Sequence, residues 1–525
     1  MSMRSRRTCY RKTGSRSASP SSVRSAGELD GFSQIDSVCA QTLYSRSGGS
    51  RRPPVSVILS VTSATLKKVS GPEASPSRSL AFGAGSDRTV SDPSPTQFEI
   101  RGADWLSLDE AQSRIFEDVG RLPAELIDVG DSLGRALAEN LKATATLPPW
   151  DNSAMDGYAV LGDDIAGASA STPVVLTVAG AVRAGEVPST PVEPGQAVRI
   201  MTGAPVPAGS DTVVRVEDTD AEANPGRVCV LRDRDRGRNI RPAGADMQLG
   251  DVVLLAGHVV TPGSVAALSA LGLTSVSVVR RPSVAILATG DELRTPDRYD
   301  DVRIGAGVPE SNGPMLAAAV LHASAVPVRL GTAIDDEHDL RERIESAADA
   351  DTLVTIGGAS MGEADLVKRV LDDLGFEQSF WRVRMRPGSP FGFGWLPRQD
   401  RKQPVFGLPG NPSSAFVTFE LLVRPFLLAL AGHRNILRRT VRCIAGEPLK
   451  GPSDATCFLR VGLDSASHPP RITLVGPQGS GLVRTLHAAD GLAVLPDGVR
   501  EIAEGELVDV MLIDDAPAAE PFRAV

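Results

Sequence analysis

The feature that most constrains the fold of this chain is a set of three apolar runs that each end in a turn of small residues. They are Ser283–Glu292, Asp351–Ser360 and Pro404–Pro412. A buried strand that ends in a glycine turn and continues into a helix directs backbone N–H groups and side chains into one crevice. In open α/β sheets that crevice lies at the carboxyl ends of the strands, where ligands bind. We therefore expect the chemical centre between residues 283 and 416.

Around these runs, predicted strands alternate with predicted helices. The strands are Ser283–Ala288, Val326–Leu330 and Thr352–Ile356, and the helices are Gly313–His322, Asp339–Ala348 and Ala364–Leu374. This alternation predicts a parallel, doubly wound sheet. Short β segments broken by Pro and Gly lie on both sides, at 174–231 and 440–512, and indicate β domains. Further helices are predicted after a Ser107 cap, at Ser132–Asn140 and at Thr261–Gly272.

Charge and composition exclude several classes of protein. The net charge of −9 argues against a general nucleic-acid binder. No uninterrupted apolar stretch approaches the roughly 18 to 20 residues of a membrane span, so neither nucleic acid nor a membrane is expected as a partner. The 5 cysteines and 6 histidines are scattered without disulfide or zinc spacing, which favours a reducing compartment and a cytoplasmic location.

The first 100 or so of the 525 residues differ from the rest. They are rich in Ser and Arg, poor in acidic residues early on, and without helical or strand periodicity. This composition is typical of a disordered extension. A start-site artefact or a targeting segment would give the same pattern.

Two loops before the α/β region carry polar groups. Asp156 stands beside Gly157 in a turn that follows Pro148 and Pro149, and Thr202 stands in a loop that follows a strand. A carboxylate or hydroxyl on such a loop could meet a substrate, but a purely structural turn is the alternative for both.

Acidic residues gather after the strands of the predicted sheet: Asp291, Glu292, Asp335, Asp336 and Asp365. Carboxylates at one sheet edge are what an oxygen-preferring cation such as Mg²⁺ requires. Taken singly, each carboxylate is better explained as a helix cap than as a ligand, and it is their recurrence at one sheet edge that favours a metal–phosphate site.

Basic and hydroxyl side chains that could bind an anion lie further along the sequence than the acidic residues. Arg382, Arg384 and Arg386 alternate, so a strand would place all three on one face, either to bind an anion or as a solvated surface. Ser413 and Ser414 lie at the start of an apolar helix, where they could meet an anion or serve as plain caps. No Walker-type Gly-Lys-Ser and no dinucleotide-binding glycine pattern is present, so a P-loop enzyme and a dinucleotide oxidoreductase are poorly supported.

Five motifs together carry a family resemblance. They are Asp-Asn-Ser-Ala-Met-Asp-Gly-Tyr-Ala at 151–159, Arg-Ile-Met-Thr-Gly-Ala-Pro at 199–205, Thr-Gly-Asp-Glu-Leu at 289–293, Gly-Gly-Ala-Ser-Met-Gly at 357–362 and Leu-Pro-Gly-Asn-Pro at 408–412. In this order, from about residue 107 to 510, the chain resembles the molybdopterin molybdenumtransferases and the homologous C-terminal domain of gephyrin.

The resemblance implies an α/β and β multidomain subunit that forms an elongated homodimer. A linking domain at 104–147 and 241–281 would be interrupted by an inserted β domain at 148–240. A three-layer α/β molybdopterin-binding domain would span 282–432, and a C-terminal β domain 433–525. Residues 1–103 would be the disordered extension.

The implied reaction is insertion of molybdate into adenylylated molybdopterin, with Mg²⁺ assisting and AMP released. By motif position, the resemblance gives catalytic roles to Asp156, Thr202, Glu292 and Asp365, and metal binding to Glu292, Asp335 and Asp365. It gives substrate binding to Asp335, Gly357, Gly358, Ser360, Arg382, Arg386, Pro409, Gly410, Asn411, Ser413 and Arg460. The active site would lie between the α/β domain of one subunit and the inserted domain of its partner.

The sequence departs from the family at the basic stretch. The family commonly carries Lys around Arg382 and Arg386, and a further Lys where Ser389 stands. Arginine keeps the charge but changes its geometry, whereas Ser389 removes a charge. A specialised paralogue with an altered molybdate site, or a non-catalytic scaffold of the gephyrin kind, is therefore the alternative function.

Overall fold

The structure is a computed structural model that describes residues 105–117, 119–221, 223–357 and 365–513. The predictions for residues 1–103, Gly358 and Ser360 lie outside the described residues. For Asp365 the helical backbone is described and the side chain is not.

The α/β region is built on one six-stranded sheet. Its strands are, in order across the sheet, Val326–Ala333, Ser283–Thr289, Thr352–Ile356, Lys402–Leu408, Gly392–Pro397 and Glu377–Phe380. The first four strands are parallel, Gly392–Pro397 runs antiparallel to them, and Glu377–Phe380 pairs antiparallel with Gly392–Pro397. Alternate side chains of strand Ser283–Thr289 point to opposite faces of the sheet. Val284 and Ile286 pack in one buried cluster, and Ala285 and Leu287 pack in another. A hydrophobic core on each face gives the predicted three-layer α/β arrangement.

Helices cover both faces of this sheet. They are Asn312–His322, Glu337–Ser346, Asp365–Asp373, Pro412–Thr418 and Arg424–Leu430, the last two joined by a π-helical turn at Phe419–Val423. The carboxylate of Asp336 accepts the N–H groups of His338 and Asp339 at 2.9 and 3.0 Å, so this residue caps a helix. Pro412–Leu430 has the length and hydropathy of a membrane span, but 83% of that window is buried, as in a core helix.

A five-stranded sheet precedes the α/β region. Its strand order is Thr212–Arg215, Gly157–Val160, Gln196–Ile200, Val174–Val182 and Arg227–Val230. The segments before and after it are paired: Ala124–Asp128 lies antiparallel to Ser275–Val279, and Leu141–Lys142 to Val252–Leu254. Helices Leu108–Phe116 and Pro262–Ala270 belong to these flanking segments, and a capping box at Ser107 starts the first. The residue bounds of the predicted domains stay predictions.

The C-terminal strands close on themselves. Thr456–Asp464, Arg471–Leu474, Thr440–Ala445, Leu507–Leu512 and Gly491–Leu495 pair in this order, and the last pairs back with the first. A small barrel results. Met385–Arg386 adds to its edge, although these residues come from the chain between two strands of the α/β sheet.

The predicted helix at Ser132–Asn140 is wrong. The helical pattern is limited to one 3₁₀ turn, Val129–Asp131, and Gly134 adopts a φ of +75° that an α-helix excludes. The backbone N–H of Leu137 donates to the carbonyl of His258 at 3.0 Å. Long-range backbone pairing with a segment 120 or so residues away thus overrides the local pattern.

His433, at the end of the last α/β helix, is a buried group with a consequence for stability. Burial, reinforced by Arg424, lowers its pKa from 6.5 to about 4. Because the folded-state pKa lies below the unfolded one, folding favours the neutral ring; this contribution is full above pH 6.5 and is lost as pH falls toward 4. Against His433→Leu, the wild-type protein should lose up to ~1.4 kcal/mol of unfolding free energy per pH unit in that window. Urea unfolding at several pH values measures this slope, and equal slopes in both proteins would contradict the assignment.

Candidate functional site

The three small-residue turns meet in one cavity of about 1290 Å³, called here the large cavity. It lies where strands Ser283–Thr289, Thr352–Ile356 and Lys402–Leu408 end, and its lining includes Glu292, Gly357, Pro409, Gly410 and Asn411. The expectation that these turns share one crevice is confirmed.

Close backbone contact explains one of the glycines. Gly357 has a φ of +94°, and a Cβ there would lie 2.8 Å from the carbonyl oxygen of Thr289. Neither the conformation nor the contact leaves room for a larger residue. Gly357 therefore lets two strand ends approach each other at the lining of the cavity.

Three exposed carboxylates line the large cavity. Asp291, Glu292 and Asp335 are exposed and line it, and the backbone N–H of Asp335 donates to Asp291 Oδ1 at 3.1 Å. Glu292 folds back over Gly290, where an added Cβ would meet Glu292 Oε2 at 2.4 Å. Among the described residues no group of three or more His, Cys, Asp or Glu is arranged to hold a metal ion by itself. The metal roles of Glu292, Asp335 and Asp365 stay predictions.

Sequence reasoning missed several polar residues that line the same cavity, among them Glu310, Asn312 and Arg369. Glu310 is buried and accepts the N–H of Gly313 at 2.7 Å. Asn312 is buried and donates through Nδ2 to the carbonyl of Gly410 at 2.6 Å, which ties one cavity wall to another. Glu310 and Asn312 lie just before and at the start of helix Asn312–His322, and this position in the sequence could have identified them as candidates.

A loop of the C-terminal region, residues 476–483, closes over the start of helix Pro412–Thr418. Ser413 donates through its backbone N–H to Ser480 O at 2.9 Å and through Oγ to Leu482 O at 2.8 Å. Ser413 is buried and lines neither the large cavity nor the second cavity described in the next paragraph, whereas Ser414 lines that second cavity. The Ser413 hydroxyl is therefore committed to holding the loop.

A second cavity of about 780 Å³, called here the small cavity, adjoins the first. Pro390 and Asn411 line both cavities. The other lining residues are Arg386, Pro387, Gly388, Ser389, Ser414, Lys450, Gly451, Pro452, Cys457, Phe458, Leu459, Gln478, Gly479 and Ser480. It thus lies between the α/β region and the C-terminal barrel.

Arg460 stands behind the wall of the small cavity and is 0% exposed. Its Nη2 donates to the carbonyls of Pro477 and Gly479 at 3.2 and 3.1 Å, and in the described part of the chain Nε and Nη1 have no hydrogen-bond partner. Burial lowers the pKa of this guanidinium, and no described carboxylate pairs with it. A buried cation without an anion is costly. Arg460 itself lines neither of the two cavities.

The three alternating arginines do not share a face of one strand, contrary to the prediction. The strand there is only Met385–Arg386, and the chain turns at Pro387. Arg386 is exposed and lines the small cavity, while Arg384 lies 3.7 Å from Asp497. Arg382 stacks its guanidinium 5.1 Å from the ring centre of Trp105 and lines neither cavity.

Asp156 and Thr202 lie together, but apart from both cavities. Asp156 Oδ1 accepts the backbone N–H and the hydroxyl of Thr202, each at 2.7 Å. These bonds, the backbone one first, hold the pKa of the Asp156 carboxyl below its usual range. Both side chains are exposed. Within one copy of the chain, neither residue lines the large cavity, which Glu292 lines.

Family models match three successive parts of the chain. "MoeA N-terminal region (domain I and II)" matches residues 106–272, "Probable molybdopterin binding domain" matches 285–429, and "MoeA C-terminal region (domain IV)" matches 442–513. The two cavities lie where the second and third parts meet.

Named relatives and solved structures agree with these matches. Molybdopterin molybdenumtransferase 2 of Mycobacterium tuberculosis is 35% identical over 410 residues, which is 77% of this chain and 98% of the relative. The molybdopterin molybdenumtransferase of Bacillus subtilis is 35% identical over 419 residues, 79% of this chain and 96% of the relative. The crystal structure of a molybdopterin biosynthesis moeA protein from Pyrococcus horikoshii superimposes with a TM-score of 0.68 at 28% identity, covering 78% of this chain and 100% of that one.

The comparisons confirm the resemblance that the five motifs carried. Identity above 30% extends over nearly the whole of these relatives, and the structural likeness covers the same share of the chain. The chain belongs to the molybdopterin molybdenumtransferase family.

Proposed function

We propose that this protein inserts molybdate into adenylylated molybdopterin and releases AMP, with Mg²⁺ assisting. Its relatives carry the name of this transferase activity. The observation that carries the proposal is the pair of adjoining cavities, one with carboxylates and glycine turns and the other with cations only. A large phosphorylated substrate and a small oxyanion need such neighbouring sites. The described cysteines are free thiols, which supports a cytoplasmic location.

The large cavity would bind adenylylated molybdopterin. Gly410 and Asn411 line it at the start of the helical segment Pro412–Leu430, whose positive dipole end favours a phosphate. Asn312 holds the Gly410 carbonyl, so the turn is fixed before the ligand arrives. Asn411 also lines the small cavity and would contact both substrates.

The carboxylate set fits Mg²⁺. In phosphate-transferring sites this ion is held by one or two carboxylates together with substrate phosphates and water, so a preformed cage of three ligands is unnecessary. Glu292 and Asp335 would hold it, with Asp291 fixing the Asp335 backbone. When bound there, the ion would offset negative charge on the phosphoanhydride.

The small cavity would bind molybdate. Arg386 lines it, and Arg460 lies behind its wall with two nitrogens unpaired in the described part of the chain. A guanidinium directs paired N–H groups at a tetrahedral oxyanion and forms charge-assisted hydrogen bonds with it. Because Pro390 and Asn411 line both cavities, the oxyanion would sit next to the bound molybdopterin.

Asp156 and Thr202 would act from a second copy of the chain. Both are exposed and line neither cavity of their own copy. Thr202 holds the Asp156 carboxylate with two hydrogen bonds, so the group is fixed and charged when it meets a partner site. A homodimer that brings this loop to the partner's large cavity would complete the centre.

The function is tested by supplying adenylylated molybdopterin, molybdate and Mg²⁺ to the purified full chain and measuring AMP. Release of AMP that depends on molybdate is the expected result. Absence of that release, with molybdopterin binding intact, would contradict the transferase and leave the scaffold function, which Ser389 favours by removing a charge.

A further inference from the structure

Lys450 projects from the C-terminal barrel at the edge of the small cavity. It lies on the short strand Leu449–Lys450, which pairs antiparallel with Glu501–Ile502. Its side chain is 69% exposed, and Nζ lies 3.4 Å from Glu501 Oε1. An exposed pair of this kind contributes little to stability and is readily exchanged for another partner.

The charge in the small cavity comes from two residues. Among the described residues that line it, Arg386 and Lys450 are the charged side chains, and both are cations. They belong to different parts of the fold: Arg386 precedes the turn at Pro387, and Lys450 comes from the barrel. An oxyanion bound between them would therefore contact cations from two different parts of the fold.

Ser389 lines the small cavity, but its side chain does not provide a hydrogen-bond donor for an oxyanion there. Its hydroxyl donates to the carbonyl of Met385 at 2.6 Å, within its own turn. Its carbonyl accepts the N–H groups of Val383 and Phe391 at 3.1 and 3.0 Å. With this residue committed to the turn, the cavity has one cation on that wall, Arg386.

We propose that Lys450 is a further cation of the molybdate site, beside Arg386 and Arg460, and leaves Glu501 to bind the oxyanion. This inference rests on the proposed function of the small cavity. The Lys450 ammonium, on a flexible stem, reaches an anion whose position Arg386 fixes. Molybdate would then connect the barrel to the α/β region.

Calorimetric titration of molybdate into the full chain tests the proposal without turnover. Lys450→Ala is expected to weaken molybdate binding about tenfold, and Lys450→Arg to retain it. Lys402 provides a matched control, because it is also an exposed lysine paired with a glutamate, Glu377, and lines neither cavity; Lys402→Ala should leave binding unchanged.

A double variant that moves the positive charge to another position tests whether Lys450 binds the anion or only supports the structure. In the Lys450→Ala background, Ser389→Lys returns an ammonium to the same cavity from the opposite wall, and affinity is expected to recover by several-fold. In steady state, Lys450→Ala should raise the KM for molybdate and leave the KM for adenylylated molybdopterin unchanged.

The outcomes distinguish this inference from the proposed function. Wild-type molybdate affinity in Lys450→Ala, in a protein that releases AMP, would overturn the role of Lys450 and leave the function standing. Weakened binding in Lys450→Ala, in a protein that releases no AMP, would support the anion site and overturn the transferase. Absence of molybdate binding by the wild-type protein would overturn both.

Discussion

Replacing Arg460 by methionine is expected to lower kcat/KM for molybdate by about 100-fold or more, because two charge-assisted hydrogen bonds to the oxyanion would be lost. The Arg460 guanidinium is fully buried and has no ion pair among the described residues. Under the proposed function, molybdate is the anion that compensates this charge. Steady-state kinetics with varied molybdate, together with calorimetric binding, measure the loss.

Stability provides the control for this variant. Methionine fills much of the same volume and removes an uncompensated buried charge, whose desolvation opposes folding. The loss of two hydrogen bonds to Pro477 and Gly479 acts in the other direction. We therefore expect little change in the unfolding midpoint despite the loss of activity. Activity within threefold of the wild type would contradict the proposed role, and Arg460→Lys should lie between the two proteins.

Replacing Phe406 by alanine is expected to reduce the unfolding free energy by about 3–5 kcal/mol. Phe406 is 0% exposed in strand Lys402–Leu408. Its ring centre lies 4.9 Å from that of Phe393, 5.1 Å from Phe426 and 6.1 Å from Phe391. A truncated side chain would leave a cavity in the layer that supports the Pro409–Asn411 turn.

Urea unfolding followed by circular dichroism measures this effect. Phe406→Leu is the matched variant and should lose less than about 1.5 kcal/mol, because it keeps most of the buried apolar volume. Leu126→Ala, at a side chain that is 71% exposed, should change stability by less than about 0.5 kcal/mol. A loss below about 1.5 kcal/mol for Phe406→Ala would show that the aromatic cluster relaxes to fill the space.

The sequence contains enough local information to predict the α/β sheet and the place of its ligand site. Strand Thr352–Ile356 has the predicted bounds, and Gly357 follows it as the turn that only glycine can adopt. Apolar runs that end at glycine turns are local patterns, and the right-handed, parallel connection of such units leaves few topologies. The crevice between them is a direct consequence of that topology.

Features that depend on distant contacts were not predictable in this way. The segment 132–140 has a helical pattern, but pairing with residues 258–260 determines its backbone. The alternation of Arg382, Arg384 and Arg386 implies a long strand, yet the turn at Pro387 and the barrel edge leave only two residues extended. Lys450 joins the small cavity only because the barrel packs against the α/β region.

The proposed active site is assembled from two copies of the chain. A mixed dimer tests this assembly most directly. Asp156→Asn and Glu292→Gln each remove one half of the proposed centre. Co-expressed with different affinity tags and purified through both, they give a dimer that carries one intact centre of two if the halves come from different subunits. Molybdate-dependent AMP release at about half the wild-type rate is the predicted result. Release no higher than that of either single-variant protein would contradict it.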